Sequence, residues 1–306
     1  MRNALIQSLV EVGDADERVL LLTGDLGFSV VEPFSSRFPK RFINVGVAEQ
    51  NMVGIATGLA EAGFMPFVYS IATFASMRPY EFIRNGPVLH GLPVRVVGIG
   101  GGFDYGHNGV SHYALEDIAI MRTQPGMTVV APADADQTRA AVRRLLDWDG
   151  PAYLRLGRSG KALPGLDGRF ELGRAELIGD GRDVAIVAMG GAARNAIDAA
   201  GILADAGIRA TVAVVSSFNP SPVDDLASLL AETPLAVTVE GHFVAGGLGS
   251  FVCEVVAENG LDTRVVRAAV RERVAGVSGD QAFMEARYGI GAAEVARAAQ
   301  TALTGA

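Results

Sequence analysis

Residues 50–77 read QNMVGIATGLAEAGFMPFVYSIATFASM, and this stretch indicates the fold class. Its only charged side chain is Glu61, yet Gly58, Gly63 and Pro66 interrupt it, so it does not resemble one membrane-spanning helix. The pattern instead predicts a buried helix over Gln50–Ala62, a glycine turn and a buried strand over Phe64–Val68. A helix followed so closely by a buried strand is typical of an α/β protein.

The same alternation of strand and helix continues on both sides of this stretch. Runs rich in Val, Ile and Leu without strict alternation suit strands that are covered on both faces, as in a parallel sheet. In this part of the chain we predict further strands at Val19–Thr23, Val94–Gly98, Thr128–Ala131 and Ala152–Arg155, and helices at Glu116–Arg122, at Asp134–Asp147 and from the N-terminus to about Gly13.

Residues 157–181 are dense in Gly, Arg and Asp and predict a linker, after which the alternation begins again. The second part predicts strands at Val184–Met189, Ala210–Val215 and Leu235–Glu240, and helices at Ala192–Ala206, Val223–Ala231 and Gly249–Asn259. We therefore expect two α/β domains over residues 1–165 and 180–306, joined by a linker at about 161–180. Each domain is expected to be a mostly parallel sheet flanked by helices.

Composition argues against several classes of function. The chain has 26 Lys and Arg against 34 Asp and Glu, a net charge of −8, which disfavours binding to nucleic acid or to an anionic membrane surface. The single cysteine, Cys253, excludes an intrachain disulfide and a zinc site made of cysteines. The N-terminal residues do not resemble a signal peptide. We expect a cytoplasmic protein that neither binds nucleic acid nor spans a membrane.

The glycine-rich motifs are too weak to indicate a nucleotide site. The run Gly98–Phe103 has Phe103 where a dinucleotide fingerprint needs its third glycine, and no carboxylate follows Gly190-Gly191 at the end of the next strand to hold a ribose. Gly179-Asp180-Gly181 lies between two strand-like segments and predicts a tight turn. The four histidines have no spacing typical of a metal site, so we predict no metal ligands in this chain.

Residues 44–52, NVGVAEQNM, contain one carboxylate, Glu49, and no other charge lies between Asn44 and Ala60. Burial there favours the neutral acid. A neutral carboxyl can donate a hydrogen bond to a ring nitrogen, which acid–base chemistry on a heterocycle requires. The alternative is a glutamate that stabilises a helix N-terminus through the helix dipole. Glu49 alone leaves both interpretations open.

Two further segments are expected at the same edge of the sheet as Glu49. Phe74 lies 25 residues after Glu49, where we expect the end of the next strand, and its ring offers a flat apolar face. The loop over residues 102–112, GFDYGHNGVSH, follows another strand and carries His107 and His112. Because α/β sheets bind ligands at the carboxyl ends of their strands, the three segments together predict a candidate site.

These segments resemble the C-terminal half of a transketolase. The similarity lies in Asn44–Met52, Thr73-Phe74, Gly106–His112 and the segment from Pro125 to Asp134, whose order and spacing match the family's pyrimidine-binding domain. Residues 180–306 resemble the family's C-terminal domain. The resemblance covers essentially the whole chain, and it implies the fold of these two domains and thiamine diphosphate as the cofactor.

The resemblance implies a role for each matching residue. Glu49 would hydrogen-bond N1′ of the cofactor's aminopyrimidine, and Phe74 would stack on that ring. Met77 and Tyr80 would line the same pocket. His112 would contact the donor and help to move protons during carbon–carbon bond cleavage.

Substrate contacts are expected from the loop and from two arginines. His107 and Asn108 on the loop would face the substrate. Arg155 and Arg158 resemble arginines that hold a substrate phosphate, although ordinary solvated charges are an equally good interpretation of either one. Gly100 and Asn108 stand where sugar-phosphate transketolases place His and Asp. These differences predict extra space and weaker selection for a phosphorylated ketose as the donor.

The family's diphosphate-binding domain, with its magnesium ligands, has no counterpart in this sequence. The chain therefore resembles the small subunit of a split transketolase, whose large partner would hold the diphosphate and Mg²⁺ in an α2β2 heterotetramer. The implied reaction is transfer of a two-carbon ketol unit from a ketose-type donor to a carbonyl acceptor. Two alternatives remain open: the β subunit of a 2-oxo acid dehydrogenase, which shares the fold and the glutamate, and a scaffold subunit that binds no cofactor.

Overall fold

The computed structural model describes residues 1–305. The strands are β1 (Val19–Thr23), β2 (Phe42–Asn44), β3 (Met65–Ile71), β4 (Arg95–Ile99), β5 (Thr128–Val130), β6 (Ala152–Leu156), β7 (Ala175–Ile178), β8 (Val184–Met189), β9 (Ala210–Val215), β10 (Ser217–Phe218), β11 (Leu235–Phe243) and β12 (Arg264–Val270). The α-helices are α1 (Arg2–Ala15), α2 (Glu32–Arg37), α3 (Glu49–Glu61), α4 (Ala72–Met77), α5 (Tyr80–Ile83), α6 (Asp117–Arg122), α7 (Ala135–Leu146), α8 (Ala193–Asp205), α9 (Val223–Ala231), α10 (Leu248–Glu258), α11 (Gln281–Arg287) and α12 (Ala292–Thr304).

The first sheet has the strand order β10-β5-β6-β4-β3-β1-β2. Its neighbouring strands are parallel except β10, which is antiparallel to β5. The strands β1, β4 and β6 are buried along their whole length, as expected for a parallel sheet with both faces covered. Because β1, β3 and β4 are parallel neighbours, their carboxyl ends lie at one edge, and the candidate site is built there.

The second sheet has the order β12-β11-β8-β9-β7, and only the pair of β7 and β9 is antiparallel. The predicted fold class, two mostly parallel sheets flanked by helices, is confirmed. The second half of the chain also contributes β10 to the first sheet, where Ser217 and Phe218 pair with Val130 and Val129. This strand ties the two sheets together.

Three local features differ from the sequence-based expectations. Phe74 lies in α4, directly after β3, and not at the end of the strand itself. The strand β2 was not predicted, because it is only three residues long and none of them is fully buried. The strand β7 lies inside the predicted linker, in a segment that the sequence shows as strand-like but that was not assigned to either sheet. The domain limits at residues 165 and 180 stay a prediction.

The helix α3 separates a buried face from an exposed one, although it is poor in charge. Met52, Val53 and Ala56 are buried against the sheet, whereas Gly54 and Gly58 on the other face are exposed. Within residues 1–305, no helix combines the length and the apolar character that crossing a membrane requires.

Candidate active site

Glu49 is the first residue of α3, and its side chain is only 2% exposed. The hydroxyl of Ser70, near the end of β3, donates to Glu49 Oε1 at 3.2 Å. Arg78 Nη1 lies 2.9 Å from each of the two Glu49 carboxylate oxygens. The carboxylate is therefore held from two sides at the carboxyl edge of the first sheet, where α/β proteins bind ligands.

Phe74 and Arg78 are four residues apart, a spacing that brings side chains together on a helical turn. The guanidinium carbon of Arg78 lies 3.8 Å from the centre of the Phe74 ring, within the range of a cation–π contact. The same guanidinium pairs with Glu49, so one side chain contacts both of the residues predicted to hold a pyrimidine ring.

The loop over residues 102–112 brings His112 into contact with Phe74. The two ring centres are 5.2 Å apart, with an angle of 64° between the ring planes. Ser111 Oγ lies 3.1 Å from His112 Nδ1. Since the serine hydroxyl engages Nδ1, the other ring nitrogen, Nε2, is the one left to meet a substrate.

Tyr105 and Arg158 extend this row of side chains. The ring of Tyr105 lies 6.1 Å from that of His112, and the Arg158 guanidinium lies 4.9 Å from the centre of the Tyr105 ring. Arg158 is exposed, and its main-chain N–H donates to Asp104 Oδ2 at 2.8 Å. Burial raises the pKa of Asp104 to about 6.

We call this continuous row the edge cluster. It consists of Glu49, Arg78, Phe74, His112, Tyr105 and Arg158. It places a buried acid and an aromatic ring at one end, and an imidazole and an exposed guanidinium at the other. The arrangement can hold a flat heterocycle at the first end and a polar or anionic substrate at the second.

Two residues predicted to line the cofactor pocket lie outside the edge cluster. Met77 is 49% exposed, and its sulfur accepts a hydrogen bond from Thr73 Oγ1 at 3.4 Å. Tyr80 Oη donates to the carbonyl of Ile120 at 3.0 Å, at the end of α6. These contacts favour a surface position for Met77 and a structural role for Tyr80.

Arg155 is almost fully buried, unlike Arg158. Its Nε lies 3.0 Å from Asp117 Oδ2, and its Nη2 donates to the carbonyls of Ala114 and Gly241 at 2.8 and 2.7 Å. Tyr153 Oη donates to the same Asp117 oxygen at 2.7 Å. With these partners inside the chain, Arg155 is 7% exposed, and its contacts favour a structural ion pair over a phosphate contact.

The second sheet adds two buried titratable groups beside this ion pair. Glu240 accepts hydrogen bonds from the N–H groups of Leu248 and Gly249 at the start of α10, and burial raises its pKa to about 7. Burial lowers the pKa of His242, whose Nε2 accepts the N–H of Ala119 at 3.3 Å. We call Asp117, Tyr153, Arg155, Glu240 and His242 the boundary cluster, because it joins the two domains.

The remaining predicted substrate residues are on the outside of the loop. His107 and Asn108 are exposed on the turn Gly106–Asn108. The expected extra space at Gly100 is already filled, because a Cβ on that residue would lie about 2.2 Å from the ring of Tyr105. The absence of a side chain at Gly100 makes room for Tyr105 and not for a substrate.

Sequence reasoning assigned no role to Arg78, Ser70 or Tyr105. A signal for Arg78 was present, because it is the only Lys or Arg between Arg41 and Arg84 and it follows Phe74 by four residues. Ser70 and Tyr105 carried no such signal. A serine near a strand end and a tyrosine in a loop are too common to indicate a site.

Two family models match this chain. The model described as transketolase, pyrimidine binding domain, matches residues 1–161, and the model described as transketolase, C-terminal domain, matches residues 173–295. A 6-deoxy-6-sulfo-D-fructose transketolase subunit, SqwH, of Clostridium sp. (strain MSTE9) is 38% identical over 98% of this chain and 93% of its own length.

Solved structures give the same result. A chain described as a split gene transketolase, inactive beta4 tetramer, has a TM-score of 0.90 at 41% identity and covers 99% of this chain and 98% of its own. Transketolase from Leishmania mexicana shares the fold, with a TM-score of 0.84 at 22% identity, over 99% of this chain and 45% of its own. The chain therefore belongs to the transketolase family. Its match spans nearly the whole of the split-gene chain and about half of the Leishmania mexicana transketolase.

The residues present fit one end of the cofactor of this family. The buried Glu49 carboxyl and the ring of Phe74 are bridged by one planar cation, so a flat ring of similar width could meet both. Within residues 1–305, no group of three or more His, Cys, Asp or Glu side chains is arranged to hold a metal ion. The edge cluster thus fits the pyrimidine of thiamine diphosphate.

Proposed function

We propose that this chain is the small subunit of a split transketolase. It would supply the pyrimidine half of a thiamine diphosphate site and, with a partner that carries the diphosphate-binding domain, transfer a two-carbon ketol unit from a ketose-type donor to a carbonyl acceptor. The edge cluster is the observation that carries this proposal, because it connects a buried acid, an aromatic ring and an imidazole in one row along the sheet edge.

Thiamine diphosphate supplies the carbon nucleophile and the electron sink for breaking and forming the carbon–carbon bond. Glu49 holds and exchanges a proton at N1′ of the pyrimidine, and Ser70 keeps the carboxyl oriented. Phe74 stacks on the pyrimidine and fixes its plane.

His112 acts at the substrate end of the site. Its Nε2 exchanges a proton with the hydroxyl of the donor while Ser111 holds Nδ1. Arg158, which is exposed at the end of the row, pairs with an anionic group of the substrate. The Clostridium relative is a transketolase subunit for a sulfonated sugar, so a sulfonate is a candidate for this anion as well as a phosphate.

A partner subunit completes the site in this proposal. The chain matches 45% of a single-chain transketolase. In this proposal the partner would bring the diphosphate and Mg²⁺ ligands. The β4 tetramer of the split relative is described as inactive, which supports the need for a second kind of subunit. We propose an α2β2 heterotetramer.

The proposal is tested by comparing the chain alone with the chain assembled with a diphosphate-domain subunit. Calorimetry with thiamine diphosphate and Mg²⁺ should give submicromolar binding only for the assembly, and two-carbon transfer should be detected only there. Submicromolar cofactor binding by the lone chain would contradict the shared site. An assembly that transfers no ketol unit from any of xylulose 5-phosphate, fructose 6-phosphate and 6-deoxy-6-sulfofructose would contradict the reaction.

A further inference from the structure

The position proposed for the pyrimidine contains a group of this chain. The Arg78 guanidinium lies 3.8 Å from the centre of the Phe74 ring, and its Nη1 is 2.9 Å from both Glu49 oxygens. A guanidinium is planar, carries several N–H donors and stacks on aromatic rings. It therefore makes the stacking contact and the contact with the acid that an aminopyrimidine would make.

Arg78 can leave this position at modest cost, whereas Glu49 cannot. The Arg78 side chain is 40% exposed and directly follows the end of α4, so its guanidinium can turn into water. The Glu49 side chain is 2% exposed and is also held by Ser70. A buried carboxylate without a partner is costly, so the subunit without cofactor gains stability from Arg78.

We propose that Arg78 is a positioning residue that occupies the pyrimidine position of the subunit until the cofactor displaces it. This inference rests on the proposed function and adds a step to it. Arg78 keeps the Glu49 carboxylate paired and the Phe74 ring covered before the cofactor binds. When the pyrimidine binds, the guanidinium moves out, and the Glu49 carboxyl pairs with the pyrimidine instead of with Arg78.

The proposal predicts a measurable penalty on cofactor affinity. An apparent dissociation constant equals the intrinsic one divided by the fraction of protein that is competent to bind. An ion pair with one exposed partner, together with a cation–π contact, leaves roughly a tenth of the subunits open. Removal of the guanidinium should therefore tighten cofactor binding by about tenfold.

The experiment compares wild type, Arg78→Met and Arg139→Met in the assembly with the diphosphate-domain subunit. Thiamine diphosphate with Mg²⁺ is titrated by calorimetry, and its association rate is measured by stopped flow. Arg139 is a matched control, because it forms an ion pair of 2.7 Å with Asp136 and is 35% exposed, but lies in α7 outside the edge cluster. We expect tighter and faster binding by Arg78→Met and wild-type values for Arg139→Met.

Weaker binding by Arg78→Met, or an affinity within twofold of the wild type, would overturn the proposal while leaving the proposed function intact. No cofactor binding by any variant of the assembly would overturn both. If the Arg78→Met assembly binds the cofactor and the wild-type assembly does not, the proposal is supported more strongly. Arg78→Lys is the second variant if Arg78→Met does not fold. It keeps the charge without the planar group, so its affinity should lie between those of wild type and Arg78→Met, and an affinity below that of the wild type would contradict displacement.

Discussion

Two of the arginine–carboxylate pairs in the first domain have a buried carboxylate, and they differ in what surrounds the arginine. In the edge cluster, Arg78 and Glu49 are 2.9 Å apart, with side chains 40% and 2% exposed. In the boundary cluster, Arg155 and Asp117 are 3.0 Å apart, with side chains 7% and 1% exposed. The chemistry and the distance are nearly the same, but water has much more access to the guanidinium of Arg78 than to that of Arg155.

This difference separates an exchangeable pair from a permanent one. The Arg155 guanidinium also donates to two carbonyls, one of them on Gly241 of the second domain, so it cannot leave without breaking the contact between the domains. Among the residues that the structure describes, the Arg78 guanidinium is held by Glu49 and Phe74 alone. An arginine near a carboxylate is therefore no sign of function by itself; the exposed fraction of the cation distinguishes the two cases.

The largest expected effect follows from breaking the buried pair. Arg155→Met should destabilise the chain by about 3–5 kcal/mol, because Asp117 is left as a buried charge. Arg78→Met should cost about 1 kcal/mol, because water enters the space of an exposed side chain and reaches Glu49. Urea unfolding of the two variants at one protein concentration measures the difference. Equal losses in the two variants would show that exposure does not distinguish the pairs.

The second prediction compares the two carboxylates by activity. Glu49→Gln should lower kcat/KM of the assembly by at least ~10²-fold, because an amide cannot exchange the proton of the pyrimidine. Its free energy of unfolding should change by less than about 1 kcal/mol. Asp117→Asn is the control: it should destabilise the chain but keep most of the activity of the folded assembly. Activity of Glu49→Gln within a few-fold of wild type would mean that another residue exchanges the proton at the pyrimidine.

The third prediction concerns the pH dependence of stability in the boundary cluster. Burial raises the pKa of Glu240 from 4.5 to about 7, so the folded chain keeps a proton that the unfolded chain has lost. The stability of the fold with respect to Glu240 is therefore highest below pH 4.5, the pKa in the unfolded chain. It falls as the pH rises through about 7, the pKa in the fold.

Between pH 5 and pH 8, Glu240 should therefore lower the free energy of unfolding by about 2–3 kcal/mol. In Glu240→Gln, this part of the pH dependence should disappear, while other groups titrate as before. Urea unfolding of wild type and variant at both pH values gives the difference. Parallel pH profiles would mean that Glu240 is already ionised in the fold at pH 5.

The fold was largely predictable because its strands are buried on both faces. The segments Val19–Thr23 and Val184–Met189 were predicted with their observed limits, since each is a mostly apolar run between a charged residue and a glycine. β2 was not identified because this half-exposed strand of three residues has no such run. Ala175–Ile178 was recognised as strand-like but assigned to the linker, because the residues around it are dense in Gly, Arg and Asp. The addition of β10 to the first sheet was not predictable, because pairing between distant segments leaves no local pattern.

The candidate site was only partly predictable. Glu49 is conspicuous as an isolated charge in an apolar region, and Phe74 lies at the expected sheet edge. The sequence could not distinguish Arg155 from Arg158, because two arginines three residues apart have similar neighbours. In the fold, Arg155 is on β6 and buried, and Arg158 is past the end of that strand and exposed. The exposure of the two arginines therefore depends on where β6 ends.

The smallest expected effect is at the exposed end of the edge cluster, where Asn108 lies on an open turn of the same loop as His112. Asn108→Asp should lower kcat/KM for anionic donors relative to neutral ones by about two- to tenfold. A new negative charge a few Å from an anion costs about 1 kcal/mol where water is close. A buried contact with a donor hydroxyl would instead change the ranking by roughly 10⁴-fold.

The measurement compares kcat/KM of the assembly for fructose 6-phosphate, 6-deoxy-6-sulfofructose and an unphosphorylated ketol. Asn259→Asp, which adds the same charge at an exposed asparagine at the end of α10, is the control and should leave the ranking unchanged. A ranking that stays within twofold in Asn108→Asp would place Asn108 outside the path of the donor. A change of 10³-fold or more would mean that the loop closes over the donor and buries Asn108. Asn108 would then be shielded from water like Arg155, and not open to it like Arg78.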